Sequence, residues 1–149
     1  HVRSRRQRQM CIRDRGMTDT LTPQELGVLG ENLAVQWLED RHYTIVDRNV
    51  RIPGIRGELD IIAFDTETTE LVFVEVKTRT TTIAGWPEEA ITRKKARTIR
   101  MVASEWLSHA YEEPPEGFPD HRGLRFDVLS LLGNPTEGFS FRHFRDVLS

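Results

Sequence analysis

The chain has 149 residues, of which 38% are hydrophobic and 30% charged, with 21 Lys+Arg against 23 Asp+Glu. That length and balance suit one globular domain with its own core, and exclude a disordered tail or a fibrous repeat. No apolar run approaches the ~20 residues that span a bilayer, so no membrane partner is expected.

Residues 1–16 hold six arginines, one acid and no apolar periodicity. They lack the apolar stretch of a secretory signal. The segment Arg5 to Arg15 resembles conceptually translated sequencing-adapter DNA, so 1–16 is expected to be a non-native extension, and 17–149 a single domain starting at Met17. A basic arm for nucleic acid is the alternative. Removing the six arginines and Asp14 leaves 15 bases and 22 acids, a net charge of −7. Overall charge then gives no support to nucleic-acid binding, and only a local patch could supply it. Cys11 lies in the same segment, so the remainder has no cysteine. That excludes disulfides, thiolate metal sites and cysteine catalysis, and fits a cytoplasmic location.

The first helix opens at Thr22-Pro23-Gln24-Glu25, a capping box with proline in the first turn. Leu26, Leu29, Leu33, Ala34, Trp37 and Leu38 recur at helical spacing, and the helix should end near Asp40. Glu31 flanks that stripe, and by pattern alone it reads as a solvated helix glutamate. Gly30 beside it would let another backbone approach. Tyr43 to Arg51 reads as a first strand and Ile52 to Gly57 as a loop. Glu58 to Phe64 and Leu71 to Arg79 are the next two strands, joined by the polar turn Asp65 to Glu70. So short a link makes them an antiparallel hairpin.

The third strand carries two charges in an apolar run, Glu75 and Lys77, which alternation puts on one face. Folding the hairpin about residues 66–70 brings Asp60 opposite Glu75 or one residue off. Opposed residues share a face at Cβ separations of ~4.5–5.5 Å. Two facing carboxylates repel, and a divalent cation removes that cost. Lys77 alone can neutralise only one of them.

Thr80 to Gly85 reads as a threonine-rich mobile loop. A long helix then runs over about Thr92 to Tyr111, with Ile91, Ile99, Val102, Ala103, Trp106 and Leu107 on its core face. Arg93, Arg97 and Arg100 form one basic stripe with Lys94 beside it; a solvated face is the plain reading of such a stripe. Trp86 offers a ring to a base, but a Trp here more often packs against the helix start. After a Pro/Gly/Glu-rich link over Glu112 to Arg122, Leu124 to Leu132 and Phe139 to Phe144 read as the fourth and fifth strands. The five histidines show no ligand spacing, which argues against zinc.

The order α-β-β-β-α-β-β, with Asp60 on one strand and Glu75-x-Lys77 on its partner, resembles the restriction-endonuclease-like nucleases. Their signature is an Asp followed by (Asp or Glu)-x-Lys on the paired strand. The pieces Gly30-Glu31-Asn32-Leu33-Ala34, Gly57-Glu58-Leu59-Asp60-Ile61-Ile62-Ala63, Leu71 to Arg79, Lys94-Lys95 and Arg125-Phe126-Asp127-Val128 resemble the YraN family of uncharacterised bacterial proteins. That family is related in fold to archaeal Holliday-junction resolvases, and the resemblance runs from about Gly27 to the C-terminal strand.

The resemblance implies an α/β (α+β) restriction-endonuclease-like core: a mixed sheet of about five strands flanked by helices. It implies Glu31, Asp60, Glu75 and Lys77 as catalytic residues. Asp60, Glu75 and Glu31 would hold Mg²⁺ or Mn²⁺, and Lys77 would orient the attacking water. Glu58 would support the metal residues, and Arg79, Lys94 and Arg97 would hold phosphates. The function implied is a Mg-dependent nuclease, or a nuclease-like nucleic-acid-binding protein, acting on DNA phosphodiesters and on branched DNA in particular. A non-catalytic DNA-processing adaptor that retains the fold is the alternative. The related resolvases act as dimers, which makes a homodimer an expectation by analogy.

Overall fold

A computed structural model of the chain describes residues 21–80, 86 and 91–148. The expected extension 1–16, residues 81–85 of the threonine-rich loop and residues 87–90 lie outside the described residues.

Helix α1 (Pro23–Glu39) starts as its sequence dictates. Thr22 Oγ1 accepts the Glu25 N–H at 3.1 Å, and the Glu25 carboxylate accepts the Thr22 N–H at 3.0 Å. Three strands follow: β1 (Tyr43–Val50), β2 (Leu59–Asp65) and β3 (Glu70–Thr80). Helix α2 (Arg93–Glu112) begins on the Thr92 cap, and β4 (Gly123–Asn134) and β5 (Gly138–Phe144) complete the described elements. This is the expected order, α-β-β-β-α-β-β, in the α+β class.

The five strands form one mixed sheet in the order β1-β2-β3-β4-β5. β2 runs antiparallel to both β1 and β3, β4 is parallel to β3, and β5 returns antiparallel to β4. The helix between β3 and β4 is what a parallel pair requires, since such strands need a long crossover. β3 is central and apolar from Leu71 to Val74, all buried, because both faces of the sheet are covered.

Strand alternation sends successive side chains to the two helices. Leu71, Phe73 and Ile62 pack with Ile99, Val102, Ala103 and Trp106 of α2. Val72, Val74, Ile61 and Ala63 pack with Ala34 and Leu38 of α1. α1 comes close to the sheet because Gly30 has no side chain: a Cβ there would overlap the side chain of Thr78 on β3. A bulge in β1 between Ile45 and Asp47 inverts the alternation. Asp47 therefore faces α2 and accepts the Trp106 Nε1–H at 3.0 Å, while Arg48 faces α1.

The turn end of the β2–β3 hairpin is tied by a buried ionic network around Arg125. Its guanidinium donates to Asp127 (2.9 Å), Asp65 (3.1 Å), Glu70 (2.8 Å) and the Tyr43 hydroxyl (2.8 Å). Asp127 also contacts His143 Nε2 at 2.7 Å and accepts the Asp146 N–H at 3.0 Å. Burial works against every charge here, but the bonds from His143 and Arg125 hold Asp127 below the ordinary carboxylate range. Arg125 and the Glu67 and Thr68 N–H groups do the same for Asp65. Among the described residues, no helix is long and apolar enough to cross a membrane.

Removing one member of a buried ion network leaves the others uncompensated. Arg125→Met should therefore lower unfolding free energy by ~3–5 kcal/mol in urea titrations at neutral pH. A loss below ~1 kcal/mol, the surface-pair range, would contradict the network's structural role.

Candidate metal centre

The open end of the same hairpin is built differently. Backbone pairing between β2 and β3 stops at Ile61↔Val74, and continuing that register puts Asp60 opposite Glu75. Beyond that pair, Asp60 reaches β3 through its side chain. Its Oδ2 accepts the Val76 N–H at 2.8 Å, so the side chain takes the place of a ladder bond. Both helices send charged side chains to this end of the sheet.

From α1 comes Glu31. Its pattern reading as a solvated glutamate is corrected: the side chain is only 12% exposed. The close approach at Gly30 explains this, because it draws that turn of α1 onto β3. Arg48, turned toward α1 by the bulge, donates from Nε (3.2 Å) and Nη2 (3.0 Å) to Glu31 Oε1, and from Nη2 to Asn32 Oδ1 (2.7 Å). One carboxylate oxygen from each of Glu31, Glu58 and Asp60 lies within 4.8 Å of the others. Glu58 therefore sits in the carboxylate group itself, closer than the supporting position expected for it. It also pairs with Arg51.

Glu75 stands slightly apart from that trio. It is 8% exposed, and its Oε2 meets Lys95 Nζ of α2 at 3.1 Å. Its Oε1 is buried with no hydrogen-bond partner among the described residues. Lys77 is half-buried and lies on the Glu75 face by alternation. Arg79, Lys94 and Arg97 are exposed, and like Arg93 they make no ion pair among the described residues. Trp86 is covered by the Arg142 guanidinium, 4.2 Å from its ring centroid.

Crowding of acids shows in Asp60. Burial pushes its carboxyl up, the Glu75 charge adds to this, and Glu31 and Glu58 push the same way, against the opposing bond from the Val76 N–H. The result is a pKa of about 8. A carboxyl that keeps its proton near neutrality, an orphaned Glu75 oxygen and three converging oxygens fit a hard divalent cation. Mg²⁺ takes oxygen ligands and is held by one or two carboxylates plus water or phosphate. Glu31, Glu58, Asp60 and Glu75 are the residues that would hold it.

Residues 30–131 match the family model described as Uncharacterised protein family UPF0102. The chain belongs to that family. A UPF0102 protein of Renibacterium salmoninarum is 50% identical over 123 residues, covering 83% of this chain and 95% of the relative. One of Beutenbergia cavernae is 40% identical over 122 residues, covering 82% and 94%. One of Geobacter sulfurreducens is 46% identical over 106 residues, covering 71% and 74%. The matched span includes all four carboxylates, Lys77 and Lys95.

Lys95 is the contact that sequence reasoning missed. A signal was present: Lys95 precedes Ile99, Val102 and Trp106 at spacings of four, seven and eleven, in line with the buried face of α2.

The raised Asp60 pKa sets a pH dependence. In an unfolded chain the carboxyl titrates near ~4. Between there and about 8 the folded state keeps a proton that the unfolded state has lost. The Asp60 contribution is therefore fully present at low pH, falls across that window and is lost above it. Asp60→Asn cannot ionise and removes the decline. In chelator, thermal melts should show the variant gaining on the wild type from about pH 5 to about pH 9, at ~2–4 °C per kcal/mol. A difference that stays constant across that range would contradict the burial assigned to Asp60.

Proposed function

We propose that this protein is a Mg²⁺-dependent nuclease acting on DNA phosphodiesters, with branched DNA among its substrates. One observation carries the reading: acids from α1, β2 and β3 converge where like charge crowds Asp60, and Glu75 Oε1 is buried without a partner among the described residues. Around Arg125 each acid is bonded to a cation, whereas Asp60, among the described residues, is bonded only to the Val76 N–H.

When bound, the metal supplies Lewis-acid stabilisation of phosphate charge and a lowered pKa for water. The chain supplies the rest. Asp60, Glu75, Glu31 and Glu58 fix the position of the cation. Lys77, on the Glu75 face, orients the attacking water and meets charge on the scissile phosphate. Arg79, Lys94 and Arg97 are exposed and make no ion pair among the described residues, and in an acidic chain they favour an anionic partner. The first turn of α2 adds to this. It holds Arg93, Lys94 and Lys95 and no acid, at the end where the helix dipole is already positive. Such an end is suited to phosphate.

A second reading, a non-catalytic DNA-processing adaptor, also has an observation behind it. Arg48, Arg51 and Lys95 already partner Glu31, Glu58 and Glu75. The two separate in one experiment on the full chain with branched, flapped and linear DNA in Mg²⁺ or Mn²⁺. The nuclease cuts, and Asp60→Ala and Glu75→Ala abolish cutting while DNA binding remains. Arg79→Ala, Lys94→Ala and Arg97→Ala weaken binding, each flattening its salt dependence by ~0.7–0.9 in log–log slope. Metal-independent DNA binding with no cutting would overturn the nuclease in favour of the adaptor.

A further inference from the structure

We propose that Lys95 is a positioning residue for the cation site: its ammonium holds Oε2 of Glu75 and leaves Oε1 as the acceptor offered to a divalent cation. This role requires that the carboxylate cluster take a cation. It does not require that DNA be cut.

A lysine on a helix usually keeps its ammonium in water and lays only its stem on the protein. Lys95 does otherwise. Its side chain is 43% exposed, yet the ammonium ends 3.1 Å from a carboxylate whose side chain is 11% exposed. Exposed ion pairs contribute little, ~0–1 kcal/mol, but here one partner is buried. The placement also runs against local preference. Lys95 lies in the first turn of α2, where its backbone N–H meets the Thr92 cap and the helix dipole disfavours a cation. A residue kept against its local preference points to a requirement elsewhere.

That requirement lies in Glu75. Its backbone is fixed in the β3–β4 ladder opposite Val128, so its carboxylate can adjust only by side-chain rotation. Of its two oxygens, Oε2 is taken by Lys95 and Oε1 is buried and unmatched. The ammonium thus selects one orientation and leaves one acceptor free. Carboxylates that ligate metals are themselves held by hydrogen bonds, and losing such a partner weakens the metal ~10–100-fold.

Simple electrostatics predicts the opposite sign. Deleting a positive charge beside a cation site should, by Coulomb's law alone, tighten the cation. Weakening therefore reports lost placement.

The test is Mn²⁺ titration of the full chain without DNA, following free Mn²⁺ by electron paramagnetic resonance. Lys95→Met should weaken Mn²⁺ by ~10-fold or more, and Lys95→Arg should recover most of the loss. In a Glu75→Gln background Lys95→Met should add nothing, since both changes act through one carboxylate. Circular dichroism melts check folding; if methionine unfolds the chain, Lys95→Gln carries the same expectation. Binding as tight as wild type, or tighter, in Lys95→Met overturns the role of Lys95 and leaves the cation site standing. A wild type that takes no Mn²⁺ overturns both. Mn²⁺ binding that depends on Lys95 in a chain that cuts no DNA supports Lys95 and removes only the cleavage.

Discussion

Like-charge crowding at Asp60 is the constraint on which the rest of this molecule turns. Taking carboxylates out of water is expensive, and placing several together compounds the expense unless a counter-charge arrives. Asp60 feels burial first, then Glu75, Glu31 and Glu58, and its pKa rises to about 8. Only a proton, a protein cation or a metal ion can relieve that position. Arg48, Arg51 and Lys95 each reach one of the glutamates, and among the described residues Asp60 is left with a backbone N–H alone.

The same hairpin carries a comparison within one structure. At its turn end, Asp65, Glu70 and Asp127 gather around Arg125, and Asp65 and Asp127 are held below the ordinary carboxylate range. At its open end, Asp60 is pushed the other way, and Glu75 Oε1 has no partner among the described residues. Burial acts on acids at both ends; the difference is the bonded counter-charge. Structural ion networks tend toward full satisfaction, because a partly satisfied one is unstable. A site that must take a ligand keeps unmet bonding capacity. By that measure the turn end holds the fold, and the open end keeps the bonding capacity that the proposed cation would fill.

Much of the fold was readable in the sequence because it rests on local signals. The capping box at Thr22, the 3.6-residue stripe of α1, the short turn between β2 and β3 and the alternation in β3 fixed the element order and the facing of Asp60 and Glu75. Tertiary placement was not readable. A solvated Glu31 was a fair reading of one helix, but Gly30 against Thr78 brings that turn down onto the sheet. No propensity marks the bulge in β1 that turns Arg48 toward Glu31. The Arg125-Phe126-Asp127 segment contributed to the family resemblance, yet Arg125 gathers Tyr43, Asp65 and Glu70 from strands far away in sequence. Lys95 left a trace in its spacing from Ile99, but only the packing of α2 on the sheet shows that its ammonium ends on Glu75.

The central claim is that the four carboxylates are a divalent-cation site. Its most direct test is a crystal of the protein soaked in Mn²⁺, with anomalous diffraction recorded at the manganese edge. The account predicts a peak at coordination distance, ~2.0–2.2 Å for small divalent ions, from oxygens of Asp60 and Glu75, with Glu31 or Glu58 bound directly or through water. A crystal saturated with Mn²⁺ that shows no peak between these carboxylates, with Lys95 still on Glu75, would contradict it.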